Sequence, residues 1–206
     1  MRSWITVLFY IALGFLSGSV LYCRLLPMLL MKKDVCALSD DKNPGAANVF
    51  IHCGVPMGLF CLTLDILKGT LPTALALRVL DPGRLYFAAV MLAPALGHAL
   101  GLLNGGRGGK CIAVIFGVLI ALLPISPMGF VLAGIYILFA GVFRIKPNSK
   151  CSILTFLLFA CVALGIGIVR RQYAIALGCT ALAAVSIIRH AKSAAAVRAE
   201  AENAAE

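Results

Sequence analysis

The sequence has few charged residues, and acidic residues are the scarcest of these. Only 13% of its 206 residues are Asp, Glu, Lys or Arg, and eight acidic residues stand against eighteen basic ones. Hydrophobic residues make up 62% of the chain, with a mean hydropathy of +1.01, whereas soluble domains are about half apolar. This composition argues against a soluble domain of any size and predicts an all-α integral membrane protein.

Several common site signatures are also missing. The eight cysteines form no C-x-x-C motif and no Cys/His pair at zinc spacing, so we expect neither a disulfide framework nor a metal site. The Walker pattern fails around Lys110, because Asn104 stands at its first glycine and Cys111 follows the lysine. The net charge of +10 does not indicate nucleic acid, because the basic residues lie mainly between apolar runs, as in loops at a lipid surface.

The apolar runs predict a bundle of about seven transmembrane helices, since one span takes roughly 20 residues. The first run is too long for the apolar segment of a signal peptide, so a retained helix is favoured over a cleaved one. The fourth and fifth runs are separated only by Pro124-Ile125-Ser126-Pro127, where two prolines favour a turn. The runs cover residues 4–31, 52–80, 86–103, 112–124, 128–143, 151–169 and 173–188.

Basic residues are distributed unequally between the two sets of connections. Eleven of them fall in one set, from Lys32 to Arg198, and five in the other, which starts with Arg2. Because the more basic connections face the cytoplasm, the amino terminus is predicted outside and the carboxyl terminus inside. Residues 1–190 would form the membrane domain, and the Ala- and Glu-rich residues 191–206 a cytoplasmic tail.

Candidate site residues gather on the predicted cytoplasmic side. Residues 40–48, the glycine-rich segment 104–110 and the pair Arg189-His190 all fall there and could converge. Glycine-rich backbone beside Arg107 and Lys110 is typical of phosphate binding, and a flexible interhelical loop is the alternative.

Two further polar features lie within apolar helices. Asp65 and Lys68 are three residues apart on one helix face, which indicates a functional pair facing the interior or a mutually neutralised structural pair. His98 precedes the glycine-rich segment by six residues, so it would act either in binding and proton transfer or in packing.

In their order along the chain, these motifs resemble the acyl-phosphate:glycerol-3-phosphate acyltransferases, the PlsY family. The spacing from Gly97-His98 to the following glycines and lysine matches the family without a gap. The matching motifs are Gly18-Ser19-x-x-Tyr22, Asn43-x-Gly45-Ala46-x-Asn48-Val49, Leu64-Asp65-x-Leu67-Lys68-Gly69, Gly97-His98, Arg107-Gly108-Gly109-Lys110-x-x-Ala113 and Arg189-His190.

The resemblance implies a fold, a reaction and a set of site residues. The enzyme would lie in a bacterial plasma membrane, with its site facing the cytoplasm, and move a fatty acyl group from acyl phosphate to the 1-hydroxyl of glycerol 3-phosphate. Membrane lipid would surround it, and no cofactor, metal or nucleic acid is implied. The implied catalytic residues are Ser19, Lys68, His98 and Lys110, and the implied substrate-binding residues are Asn43, Gly45, Asn48, Arg107, Gly108, Gly109 and His190.

The sequence departs from the family pattern at several of these motifs. Asp41 replaces a serine and is expected to repel an anion unless Lys42 offsets it, and Ile51 replaces an arginine that would contact phosphate. Cys111 replaces a glycine and Ser193 an asparagine. A relative with another acyl donor or acceptor, and a transporter or other non-catalytic membrane protein, are therefore alternatives. The other acyltransferase motif, H-x-x-x-x-D, is absent from the sequence.

Overall fold

A computed structural model of the chain describes residues 4–203, and every regular element in that range is a helix. Four helices are long and apolar enough to cross a membrane, and a fifth crossing is possible if a bent pair counts as one span. The pair is α1 (Trp4–Ser19) with α2 (Tyr22–Met31), bent by 43°. The four candidates are α5 (Val55–Val79), α9 (Asn148–Val169), α10 (Tyr173–Asn203) and the segment Tyr86–Asn104, in which α6 (Tyr86–Leu100) continues into a 3-10 turn.

The remaining helices are short. They are α3 (Val35–Leu38), α4 (Ala46–Cys53), α7 (Ile112–Ala121) and α8 (Met128–Tyr136), with a 3-10 turn at Leu102–Asn104 and a π-helical turn at Ile137–Val142. The fourth and fifth apolar runs correspond to α7 and α8. The ten residues of α7 span about 15 Å, half of a hydrocarbon core of roughly 30 Å. By length alone, the structure therefore supports four or five spans, and a count of seven stays a prediction.

Pairs of glycines let neighbouring helices approach closely. A side chain at Gly97 of α6 would lie 2.1 Å from the Phe15 carbonyl oxygen of α1, and one at Gly18 of α1 would lie 2.0 Å from the Pro94 carbonyl oxygen. Helices α5 and α7 cross in the same reciprocal way at Gly69 and Gly117. Small residues are what close helix packing in lipid requires, so these crossings fix the centre of the bundle.

The outer surface of the bundle is apolar, and several polar side chains are buried inside it. Large apolar side chains such as Trp4, Phe130 and Val169 are mostly exposed, as expected of a surface that meets lipid rather than water. Polar side chains that are at most 4% exposed include Ser19, Asp65, Lys68, His98, Ser186 and His190. Because such groups are costly to bury unless they are partnered, they mark the candidate site.

Helix α10 continues beyond the predicted end of the membrane domain. It runs unbroken from Tyr173 to Asn203, so the proposed boundary at residue 190 falls inside a helix. Its 31 residues extend about 46 Å, more than a bilayer core. Arg2 and the last three residues of the predicted tail lie outside the described residues.

Candidate active site

The first turns of three helices line one cavity of about 580 Å³. Residues 45–48 at the start of α4, residues 110–113 at the start of α7, and residues 148, 149, 151 and 152 at the start of α9 contribute. The first N–H groups of a helix have no intrahelical acceptor, and the helix dipole places partial positive charge there. Three such ends around one space favour an anion.

The carboxylate of Asp41 occupies part of this electropositive region. Its Oδ2 accepts a hydrogen bond from Lys110 Nζ at 2.7 Å, and its Oδ1 accepts from Asn48 Nδ2 at 2.8 Å and from the Asn43 backbone N–H at 3.2 Å. Partial burial alone would raise the pKa of the Asp41 carboxyl, but the hydrogen bonds from Lys110 and Asn48 outweigh it, and the net pKa lies below the ordinary 3.8. Lys42 pairs with Glu200 instead, so the negative charge of Asp41 is offset by Lys110 and not by Lys42.

Lys68 is enclosed by acceptors of its own chain. Its Nζ contacts Asp65 Oδ1 at 2.7 Å, donates to the Val20 carbonyl oxygen at 2.6 Å and meets His98 Nδ1 at 2.9 Å. An ammonium has three protons, and these contacts use all of them. The residue therefore stabilises the break between α1 and α2 and orients His98, while Asp65 and His98 line the cavity.

The two cavity histidines present opposite hydrogen-bonding groups. His98 Nδ1 accepts from Lys68, so a neutral ring carries its proton on Nε2 and acts as a donor there. His190 Nδ1 lies 2.9 Å from the Ser186 carbonyl oxygen. Because a carbonyl oxygen can only accept, a neutral His190 ring carries its proton on Nδ1, and Nε2 is left as an acceptor. Both rings line the cavity, and their Nε2 atoms have opposite hydrogen-bonding character.

Helix α10 holds the glycine-rich segment in place. Arg189 Nε donates to the Gly109 carbonyl oxygen at 3.1 Å, its Nη2 donates to that of Gly108, and Ser186 Oγ donates to that of Lys110 at 3.1 Å. A side chain at Gly108 would lie 2.0 Å from the Ala99 carbonyl oxygen. Glycine is needed there for close packing of the backbone.

A second clamp lies at the start of this segment. Arg24 forms a two-point ion pair with Asp34 at 2.8 and 3.2 Å and donates to Asn104 Oδ1 at 2.6 Å. Hydrogen bonding from Arg24 lowers the pKa of the Asp34 carboxyl. Asn104 in turn donates to the Arg107 carbonyl oxygen at 2.8 Å. Arg24 therefore connects α2 to the glycine-rich segment through Asn104.

The predicted site residues divide into two groups. Asn43, Gly45, Asn48, His98, Lys110 and His190 line the cavity, whereas the segment 107–109, Ser19 and Lys68 do not. The Ser19 hydroxyl donates to Phe15 of its own helix at 2.8 Å, and the Arg107 side chain is exposed. The N–H of Gly109 donates to the His98 carbonyl oxygen at 3.1 Å. The roles assigned to these residues remain predictions.

The departures from the family pattern have different structural settings. Ile51 on α4 is 73% exposed and points away from the cavity lining. Cys111 has φ +69°, in the left-handed region that favours glycine, and its thiol donates to the Ala95 carbonyl oxygen at 3.4 Å. Ser193 lies half-buried on α10. Among the three, only Cys111 lies at the cavity.

Several cavity residues were not predicted from the sequence. They are Asn148, Ser149 and Ser152 at the start of α9, and Tyr136 at the end of α8. The pair Asn148-Ser149 directly before the apolar run was the available signal, because polar residues there are typical of a helix start. Within residues 4–203, no group of three or more His, Cys, Asp or Glu side chains is arranged to hold a metal ion.

Comparisons with known proteins point to one family. Residues 8–200 match the family described as glycerol-3-phosphate acyltransferase. A protein of that name from Myxococcus xanthus is 35% identical over 136 residues, 66% of this chain and 69% of the relative. One from Nitratidesulfovibrio vulgaris is 32% identical over 128 residues, 62% of this chain but only 38% of the relative.

The same family has a solved structure with this fold. A crystal structure of PlsY, an integral membrane glycerol 3-phosphate acyltransferase, in its glycerol 3-phosphate form has a TM-score of 0.78 to this chain. The sequences are 23% identical, and the match covers 94% of this chain and 92% of the other. At this identity, the likeness demonstrates a shared fold.

Proposed function

Because the chain belongs to the glycerol-3-phosphate acyltransferase family, which its match over residues 8–200 shows, we propose that it acylates the 1-hydroxyl of glycerol 3-phosphate. The proposed donor is acyl phosphate, and the products are lysophosphatidate and inorganic phosphate. The observation that carries this proposal is the convergence of three helix amino termini and Lys110 on one cavity. Both substrates carry phosphate, and such ends bind phosphate without a metal ion or cofactor.

The cavity also has an apolar side that suits a fatty acyl chain. Ile66 of α5, Ile112 and Phe116 of α7, and Tyr136 and Ala140 around the end of α8 line it. An acyl group lying there would bury apolar surface while its phosphate faced the start of α7. The carbonyl carbon would then lie between the polar and apolar parts of the cavity, where the acceptor hydroxyl has to attack.

The two histidines have complementary parts in the proposed reaction. The acceptor oxygen bonds to the acyl carbon, the bond from that carbon to the phosphate oxygen breaks, and the hydroxyl proton passes to His190 Nε2. His98 Nε2–H donates toward the developing negative charge on the carbonyl oxygen. Lys110 and the N-terminal turns bind the phosphate groups, so catalysis consists of positioning, proton transfer and electrostatic stabilisation.

The topology belongs to the same proposal. We propose seven crossings in a bacterial plasma membrane, with residues 1–190 as the membrane domain and 191–206 as a cytoplasmic tail. The support is that three segments rich in basic residues meet: Asp41 contacts Lys110, Arg189 contacts Gly109, and His190 lines the same cavity as Asp41 and Lys110. Short helices such as α7 would then have to cross where the bundle itself, rather than lipid, surrounds their ends.

The test is an assay of both products with the purified protein in lipid nanodiscs. Palmitoyl phosphate is supplied with and without glycerol 3-phosphate, and inorganic phosphate and lysophosphatidate are measured together. We expect acceptor-dependent release of phosphate matched by lysophosphatidate. We also expect Lys110→Ala to lower kcat/KM about 10²–10³-fold, as loss of one preorganised donor does. Lys192→Ala, an exposed lysine of α10, is the matched control. Absence of acceptor-dependent product would contradict the proposal.

A further inference from the structure

The chain's own carboxylate lies where the proposed function needs a phosphate group. Three donors converge on Asp41: Lys110 Nζ at 2.7 Å, Asn48 Nδ2 at 2.8 Å and the Asn43 backbone N–H at 3.2 Å. Each of these three residues lines the cavity. A carboxylate and a phosphate monoester are both anions that accept such charge-assisted hydrogen bonds. These three donors form a cradle that an anionic side chain of the protein itself occupies.

The surrounding charges leave Asp41 in direct competition with a bound anion. Lys110 is its ion-pair partner, with side-chain exposures of 17% and 30% for the two residues. Other titratable groups near Asp41 are His190 on α10 and Cys36 on α3, while Lys42 is paired with Glu200. A dianion that took the donors from Asp41 would face an uncompensated like charge a few ångströms away.

We infer that Asp41 is a specificity-determining residue that sets the affinity of the site for phosphate monoesters. Its carboxylate holds Lys110, Asn48 and the Asn43 N–H in place, and an entering phosphate has to displace it. The residue thereby weakens binding of phosphate-bearing substrates and of inorganic phosphate. This inference rests on the proposed function for the identity of the ligand, but binding can be measured without turnover.

The state of Asp41 does not change over the working pH range. Because its folded pKa lies below the ordinary 3.8, the ion pair is present above that value and is lost only as pH falls through the lowered pKa. From pH 6.5 to 8.5 the carboxylate stays ionised. The carboxylate of Asp41 itself therefore contributes no pH dependence to phosphate binding across this interval.

The experiment compares Asp41→Asn and Asp41→Ser with Asp40→Asn. Asp40 is the exposed neighbour, so its substitution removes the same charge without touching the cradle. We expect Asp41→Asn to lower the calorimetric Kd of inorganic phosphate, and the KM of a phosphate substrate, about tenfold, with kcat changed less than threefold. Asp40→Asn should change either quantity less than twofold. Asp41→Ser is the second variant should the asparagine variant fold poorly.

Several outcomes separate this inference from the proposed function. A fall in KM for glycerol 3-phosphate alone assigns the cradle to the acceptor, and a fall for palmitoyl phosphate alone assigns it to the donor. Tighter phosphate binding without turnover would uphold the inference and contradict the proposed function. A Kd of inorganic phosphate that is unchanged or higher in both folded Asp41 variants would overturn the inference. The increase in phosphate affinity should also vanish when Asp41→Asn is combined with Lys110→Ala, because Asp41 and phosphate compete for that lysine.

Discussion

The chemistry of each cavity histidine depends on which ring nitrogen the protein engages. Lys68 contacts Nδ1 of His98, and the Ser186 carbonyl oxygen contacts Nδ1 of His190. A cationic donor and a carbonyl acceptor impose opposite tautomers on the two rings. Under the proposed function, this difference assigns proton acceptance to His190, although the sequence gives both residues the same side chain.

Replacing His190 by Gln is therefore expected to remove the general base. Glutamine retains hydrogen bonding but cannot take the proton, so kcat should fall about 10²–10⁴-fold. The acid limb of the rate profile should disappear as well, because a group that must be deprotonated no longer titrates. Steady-state assays of lysophosphatidate formation across pH 5.5–8.5 measure both effects.

The corresponding His98→Gln variant separates the two roles. An amide N–H can replace the donor on His98, so the acid limb should persist in that variant while kcat falls. A rate profile that keeps its acid limb in His190→Gln and loses it in His98→Gln would reverse the assignment.

Residue types in loops could be predicted to form a site, but their orientation could not. Asn43, Asn48 and Lys110 stood out because polar and glycine-rich segments are unusual in so apolar a chain, and all three line the cavity. Ser19 belongs to an equally good motif, yet its hydroxyl bonds to Phe15 on its own helix. The rotation of a helix about its axis decides whether a side chain faces the cavity, and the motif carries no information on that rotation.

At the scale of elements, the close helix crossings depend on glycine. Gly97 in the α1–α6 crossing and Gly117 in the α5–α7 crossing each lie where a side chain would come within about 2 Å of a carbonyl oxygen. A methyl group at either position has to push two backbones apart. Backbone atoms cannot rotate aside as a flexible side chain can.

We expect Gly97→Ala and Gly117→Ala each to lower the thermal unfolding midpoint in detergent by about 2–12 °C, since overpacking costs about 1–3 kcal/mol. Gly134→Ala is the matched control, because nothing lies within 4 Å of a side chain at that position in α8. The control should be neutral or stabilising by up to about 1 kcal/mol. Equal midpoints for all three variants would contradict the crossing geometry.

The long helices could be predicted from hydropathy, whereas the breaks could not. The runs 52–80 and 151–169 agree with α5 and α9 to within about three residues at each end. The first run hides a break at residues 20–21, where the Val20 carbonyl oxygen accepts from Lys68 on another helix. Hydropathy reports how long an apolar stretch is, while a break held by a distant side chain leaves no local signal.

At the scale of the whole molecule, the number of crossings depends on whether α7 and α8 span the membrane. If α7 and α8 both cross, the turn at residues 124–127 lies on the face opposite the cavity mouth. If neither crosses, this turn stays near the middle of the bilayer or returns to the cavity side. The segment 81–85 between α5 and α6 is predicted outside in either case, and the end of α10 inside.

Single added cysteines distinguish these arrangements. With a membrane-impermeant maleimide, we expect Asp81→Cys and Leu123→Cys to react in intact cells, and Arg198→Cys to react only after permeabilisation. The unchanged chain is the control, because Cys161 is already exposed on α9. Labelling at Asp81→Cys without Leu123→Cys would support re-entrant α7 and α8, leaving five crossings. If only Arg198→Cys reacts in intact cells, the bundle has the inverted orientation. The cavity would then open on the outer face, away from any cytoplasmic supply of acyl phosphate.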